Sequence, residues 1–153
     1  MELELDVQLA AEAADLPAGA DFEGWIRAAL QGAAGQGGAL SLRLVGLEEG
    51  AELNSSWRRK DGPTNVLAFP GPGGLPAGVP REYGDLVICL PVVLQEAAEQ
   101  GKAPVDHLAH LVVHGTLHLL GYTHDGEADA GRMEALETRV LARLGIADPY
   151  VQR

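Results

Sequence analysis

All five histidines of the chain fall in one stretch, HLAHLVVHGTLHLLGYTHDG, from His107 to Gly126. His114 and His118 are four positions apart. On an α-helix that spacing means an offset of about 40° around the axis and about 6 Å along it, so the two imidazoles project side by side and can share one ion. Gly121 can adopt the left-handed conformation that ends a helix and turns the chain back, which brings His124 round as a third ligand. Three neutral nitrogen ligands with a vacant fourth position suit one Zn²⁺ and are the pattern of a catalytic ion. A purely structural ion would prefer a fourth ligand, and the single cysteine, Cys89, lies in the apolar run LVICL. Ni²⁺, Co²⁺ and Cu²⁺ share this ligand chemistry. Such an ion lowers the pKa of bound water toward neutrality and polarises the bond under attack, so hydrolysis needs no protein nucleophile.

His107 and His110 lie on the same helical face. His110 is two turns, about 12 Å, from His118, too far for both to bind one ion. Only His118 makes use of the Gly121 turn and His124, so His107 and His110 read as hydrogen-bonded core histidines or as partners that orient the ligands.

The elements that must hold these residues are legible in outline. With 153 residues and 46% hydrophobic content, the chain has enough apolar material for one core, and residues 1–153 read as a single domain. Alternation predicts strands at LELDVQL, at 39–47, at 65–69 and at 85–90. Asp21 caps a helix whose face is Phe22, Trp25, Ile26, Ala29 and Leu30. A second helix covers 48–58, and a third runs from Pro91 to Gly101. Pro104 opens a fourth, over roughly 105–120, apolar almost all round and therefore central. A last amphipathic helix carries Met133, Leu136, Val140 and Leu144 and closes at Gly145. The fold class is α+β: a mixed sheet of about four strands packed with about five helices around a central metal-bearing helix. The loop PGPGGLPAGVP at 70–80 divides two strands, not two domains.

No apolar run is long enough to span a membrane, and the amino terminus MELELDVQLA lacks the basic-then-apolar pattern of a secretory leader. The lone cysteine and the missing leader fit a reducing cytoplasm. A net charge of -11 argues against a protein that coats nucleic acid through a broad basic surface. The one concentrated basic patch is Arg58, Arg59 and Lys60, which on charge alone reads as a solvated helix end.

The spacing H-x-x-x-H-x-x-G-x-x-H matches the metal helix of metzincin proteases, which makes a metalloprotease the alternative function. Those enzymes place a general-base Glu beside the first histidine, where this chain has Gly115. An acid from elsewhere, such as Asp85 or Asp125, would have to replace it.

HGTLHLLGYTH, from His114 to His124, resembles the H-G-x-L-H-L-x-G-Y-D-H motif of the YbeY family of ribosomal RNA maturation endonucleases. Two upstream blocks resemble the same family in the same order. LNSSWRRKDGPTNVLAFP at 53–70 is similar to L-N-x-x-Y-R-x-K-D-x-P-T-N-V-L-S-F-P, and GDLVICLPVVLQEA at 84–97 to the family's G-D-I-V-I-C strand and following helix. The resemblance implies single-strand-specific RNA cleavage in ribosomal RNA maturation and ribosome quality control. It also implies His114, His118 and His124 as metal ligands and Arg58 as the functional arginine. Implied partners are single-stranded ribosomal RNA, small ribosomal subunit proteins and an assembly GTPase. Thr123 stands where the family usually has Asp, and Trp57 where it has Tyr.

Phosphodiester cleavage needs positive charge near the non-bridging oxygens, and Arg58 can present a planar fork to phosphate while Arg59 and Lys60 act as point charges. The nucleophile is either water or the 2′-hydroxyl of the RNA. A ribosome assembly factor with a structural metal is a further alternative. Thr64 and Asn65 read as turn residues. Asp85 reads as a residue that orients a ligand histidine or merely starts a strand. Asp125, Glu127 and Asp129 complement the amino end of the last helix.

Overall fold

Alternating apolar residues in LELDVQL and GALSLRLV form β1 (Leu3–Leu9) and β2 (Gly38–Val45), which pair in parallel. VLAFP forms β3 (Val66–Pro70) and REYGDLVIC forms β4 (Arg81–Cys89). β4 runs parallel to β2 and antiparallel to β3, giving one four-stranded mixed sheet in the order β1-β2-β4-β3. The computed structural model describes residues 2–60, 62–72 and 81–150, so most of the loop expected at 70–80 lies outside the described residues.

β4 begins at Arg81 rather than at Asp85, where the apolar strand pattern first becomes visible. The reason is Gly84, which has φ +126° and lies so close to β3 that a Cβ there would meet the Phe69 carbonyl oxygen at 2.2 Å. The glycine interrupts the side-chain pattern while the backbone pairing with β2 continues across a register shift at Ala39/Leu40.

The described helices are α1 (Phe22–Gly32), α2 (Leu47–Arg58), α3 (Leu90–Gln100), α4 (Pro104–Leu119) and α5 (Glu127–Arg143), with a short 3-10 turn at Ala13–Asp15. Asp21 caps α1 by accepting the Gly24 N–H at 3.0 Å, and Trp25, Ile26, Ala29 and Leu30 are buried as the periodicity requires. α3 has Pro91 in its first turn and ends at Gly101 with φ +65°.

α4 is the centre of the fold. It packs against α1, α3, α5, β3 and β4, and Leu108, Val112 and Leu117 on it are fully buried with Leu42, Leu86 and Ile88 of the sheet. The other sheet face buries Val45, Leu67, Val87 and Cys89, with Leu53 of α2 packed against them. Burial on both faces explains why DLVIC reads as a nearly continuous apolar run.

α4 packs closely on the sheet at Gly115, where a Cβ would lie 2.8 Å from Leu86 Cδ2 and 3.1 Å from Val66 Cγ2. A glutamate, the residue a metzincin would need here, would have to displace the packed Leu86 and Val66 side chains, although the position also borders the cleft. Gly115→Glu is expected to destabilise the protein by about 3 kcal/mol through overpacking against Leu86 and Val66. Thermal denaturation should show a fall of roughly 6–12 °C. An unchanged melting temperature would mean that the helix can lift off the sheet at no cost.

Candidate metal centre

α4 carries His114 and His118 one turn apart, and the turn that ends the helix brings back His124. The Tyr122 N–H donates to the Leu117 carbonyl at 3.1 Å and the Gly121 N–H to the His118 carbonyl at 3.0 Å, with Gly121 at φ +100°. These two bonds form a Schellman cap, and only glycine takes the left-handed position at no steric cost. The ring centroids lie 4.6 Å apart for His114 and His118, 4.8 Å for His114 and His124, and 4.9 Å for His118 and His124. One nitrogen from each ring falls within 4.8 Å of the other two, so the three can hold a metal ion.

Hydrogen bonds select the tautomers. His118 Nδ1 lies 2.9 Å from the Tyr122 carbonyl oxygen, which can only accept, so Nδ1 carries the proton and Nε2 the lone pair. His114 Nδ1 lies 2.6 Å from a carboxylate oxygen of Glu137, with the same consequence for its Nε2. The two Nε2 atoms then face each other at 3.1 Å. Two lone pairs at that distance repel unless a cation joins them, and tetrahedral zinc sets its nitrogens about 3.3 Å apart. Burial, with the neighbouring His114 as a further cause, lowers the His118 pKa and keeps the ring in the neutral form that a metal requires. The residues therefore fit a metal ion with imidazole ligands. His124 is exposed and leaves the outer side of the cluster open to solvent.

Glu137 of α5 is the site residue that the spacing of the histidines does not reveal. Its side chain is fully buried and accepts from His114 Nδ1, from His110 Nε2 at 2.9 Å and from the Tyr150 hydroxyl at 2.5 Å. Burial pushes its pKa up, but the hydrogen bonds from His110, His114 and Tyr150 outweigh this and hold it at about 2. Burial and the Glu137 bond raise the Tyr150 hydroxyl well above its ordinary value. A signal was present in the sequence: Glu137 lies within the apolar stripe Met133, Leu136, Val140 and Leu141, where an acid is buried only if it is paired. His110 and His107 occupy the supporting positions expected of them, His107 through a 3.0 Å contact with Glu96.

The cluster opens into a cleft of about 620 Å³ that runs along the free edge of β3 and is also lined by Trp57, Arg58, Phe69, Tyr122 and Thr123. Arg58, the last residue of α2, is exposed and pairs with no carboxylate among the described residues. Arg59 and Lys60 are exposed and do not line the cleft. Asn65 is structural: its side-chain oxygen accepts the Val66 N–H at 2.7 Å and its amide donates to Glu96 at 3.2 Å. Asp85 does not reach the histidines; it accepts from Ser41 and lines a separate depression with Glu4 and Asp6. The cleft is thus without either acid considered as a substitute protease base, since Asp125 does not line it.

The model of the family described as Endoribonuclease YbeY matches residues 8–145. The chain belongs to the YbeY family. A YbeY endoribonuclease of Halorhodospira halophila is 51% identical over 99% of this chain and 99% of its own length. One from Alkalilimnicola ehrlichii is 55% identical over 97% of this chain and 91% of its own. A solution structure of a protein from Thermotoga maritima superposes with a TM-score of 0.55 at 24% identity, covering 96% of this chain and 99% of that one, and shows a shared fold. The YbeY match joins the carboxy-terminal histidine block to β2 and the end of β1, which the sequence motifs alone did not reach.

Proposed function

We propose that residues 1–153 act as one metal-dependent endoribonuclease domain that cuts single-stranded RNA in ribosomal RNA maturation and ribosome quality control. His114, His118 and His124 hold one ion, Zn²⁺ by ligand chemistry, with Ni²⁺ and Co²⁺ as the metals to compare. The observation that carries the reading is the convergence of three imidazoles in a cleft that Arg58 also lines, in a chain whose relatives are named endoribonucleases.

When bound, the ion supplies Lewis acidity at the scissile phosphodiester and makes a nucleophile available near neutral pH. The chain's own residues do the rest. Glu137 and the Tyr122 carbonyl fix the two helical imidazoles with Nε2 facing the ion. Arg58 offers a planar pair of donors to the non-bridging oxygens as they gain charge. Gly115 leaves the cleft without an adjacent general-base carboxylate, which disfavours peptide hydrolysis. No described helix is long and apolar enough to cross a membrane. The same reading places the protein in the cytoplasm, in contact with small ribosomal subunit proteins and an assembly GTPase.

Removing the metal tests this. Protein stripped with a chelator is expected to lose cleavage of a single-stranded ribosomal RNA fragment and to regain it with about one equivalent of Zn²⁺. A 2′,3′-cyclic phosphate or 3′-phosphate end on the product assigns the 2′-hydroxyl as nucleophile, and a 5′-phosphate end assigns water. Cleavage that survives complete metal removal overturns the reading. A metal-loaded protein that cuts no RNA points instead to an assembly factor with a structural ion.

A further inference from the structure

Trp57 is a large apolar side chain left 67% exposed at the end of α2, immediately before Arg58. A single exposed tryptophan on a surface needs no explanation. This one lines the same cleft as the three histidines and Arg58. Its ring meets Phe69 of β3 at 5.5 Å between centroids and 66° between planes, an edge contact that steadies the indole without stacking over it. The result is a fixed aromatic plane with a free face, beside a guanidinium, in the cleft that holds the metal-binding cluster.

The charge of the chain makes such a plane useful. At a net charge of -11 the protein gains no long-range attraction for a polyanion, and among the described residues the one cation that lines the cleft is Arg58, with Arg59 and Lys60 next to it in the chain. Phosphate contacts are therefore few. Base stacking does not depend on net charge, and every nucleobase has a face to offer. In a duplex those faces are covered by neighbouring base pairs, and only an unpaired nucleotide can place one against an indole.

We propose that Trp57, backed by Phe69, is a stacking subsite for an unpaired base of the RNA, and that this contact makes the cleft selective for single strands. The proposal rests on the endoribonuclease reading and adds the group that recognises the substrate. Trp57 takes any base, with purines preferred for their larger face, while Arg58 holds the adjoining phosphate. Affinity then comes from a stacked base and at most three cations, so the dependence of log Kd on log salt is shallow, with a slope no steeper than about 2.

The chain has two tryptophans, and the other, Trp25, is buried in the core, so Trp57 can be followed by its own fluorescence. Metal-loaded wild type, Trp57→Ala and Trp57→Tyr are titrated with a short single-stranded RNA, the same RNA as a duplex, and an abasic strand of equal length. Cleavage of the single strand is followed in parallel. The single strand is expected to quench wild-type emission and the duplex and abasic strand to leave it nearly unchanged. Trp57→Ala should weaken single-strand binding by roughly 5- to 100-fold, with the loss in KM rather than kcat, and Trp57→Tyr should recover most of it. Wild type that cuts RNA but binds it no better than Trp57→Ala overturns the stacking subsite and leaves the nuclease reading standing. Wild type that neither binds nor cuts RNA overturns both.

Discussion

His118→Ala is expected to lose both the bound ion and RNA cleavage, whereas Arg58→Ala keeps the ion and loses cleavage alone. His118 is one corner of a nearly equilateral cluster: its ring is 4.6 Å from that of His114 and 4.9 Å from that of His124. Without it the two remaining imidazoles offer too few ligands for an ion with imidazole coordination. A Lewis acid worth several kcal/mol at the transition state corresponds to a fall in rate of about 10³-fold or more. Arg58 forms no hydrogen bond or ion pair with the histidines or with any carboxylate among the described residues, so its loss should leave fold and metal content intact. Removing one donor to a developing oxyanion costs about 10²- to 10³-fold, and Arg58→Lys should recover only part, because an ammonium lacks the planar fork. Metal content by elemental analysis and single-turnover cleavage separate the two variants. A His118→Ala protein that retains one ion would move the site toward His110, His114 and Glu137, the other group among the described residues close enough to hold one.

The contrast between these residues and Glu137 shows what a sequence exposes. His114 and His118 are legible because ligand spacing on a helix is a local property, fixed by the geometry of one turn. Gly121 is legible for the same reason, since a helix that must stop and reverse needs a residue free to take φ +100°. The strands are visible by alternation except where Gly84 breaks the pattern, and there the visible start falls at Asp85 instead of Arg81. Glu137 belongs to another helix and meets His114 only because α4 and α5 pack together, a relation that no local pattern contains. Asp85 fails in the opposite sense. Of its two readings, a partner of the histidines or a strand residue, only the second holds, since it lies within β4 and faces Ser41 and a separate depression. Spacing along a helix carried over to the folded chain, and pairing between elements did not.

Glu137→Gln is the variant that tests whether the buried carboxylate sets up the metal centre or merely fills space. The two side chains have nearly the same shape, so packing against Met133 and Val140 on α5 is preserved. The carboxylate accepts three hydrogen bonds, from His110, His114 and Tyr150, and an amide cannot replace all of them because its nitrogen only donates. If the amide nitrogen turns toward His114, that ring must accept at Nδ1, its proton moves to Nε2, and the lone pair facing the ion is lost. If it turns the other way, His110 and Tyr150 are left with an unmatched donor. Zinc affinity should therefore fall by roughly 10- to 100-fold in a chelator competition, and nitrogen chemical shifts should report a changed tautomer at His114 or His110. The metal-free protein should also lose stability. A carboxyl held at about 2, against an ordinary 4.5, stabilises the fold by an amount fully present above the ordinary value and lost as pH falls toward 2. That contribution is of order 3 kcal/mol at neutral pH. Denaturant curves of wild type and Glu137→Gln should accordingly lie far apart at pH 7 and draw together between pH 4.5 and 2. Equal zinc affinity and parallel pH curves would reduce Glu137 to packing, and the orientation of His114 would then have to come from the helix alone.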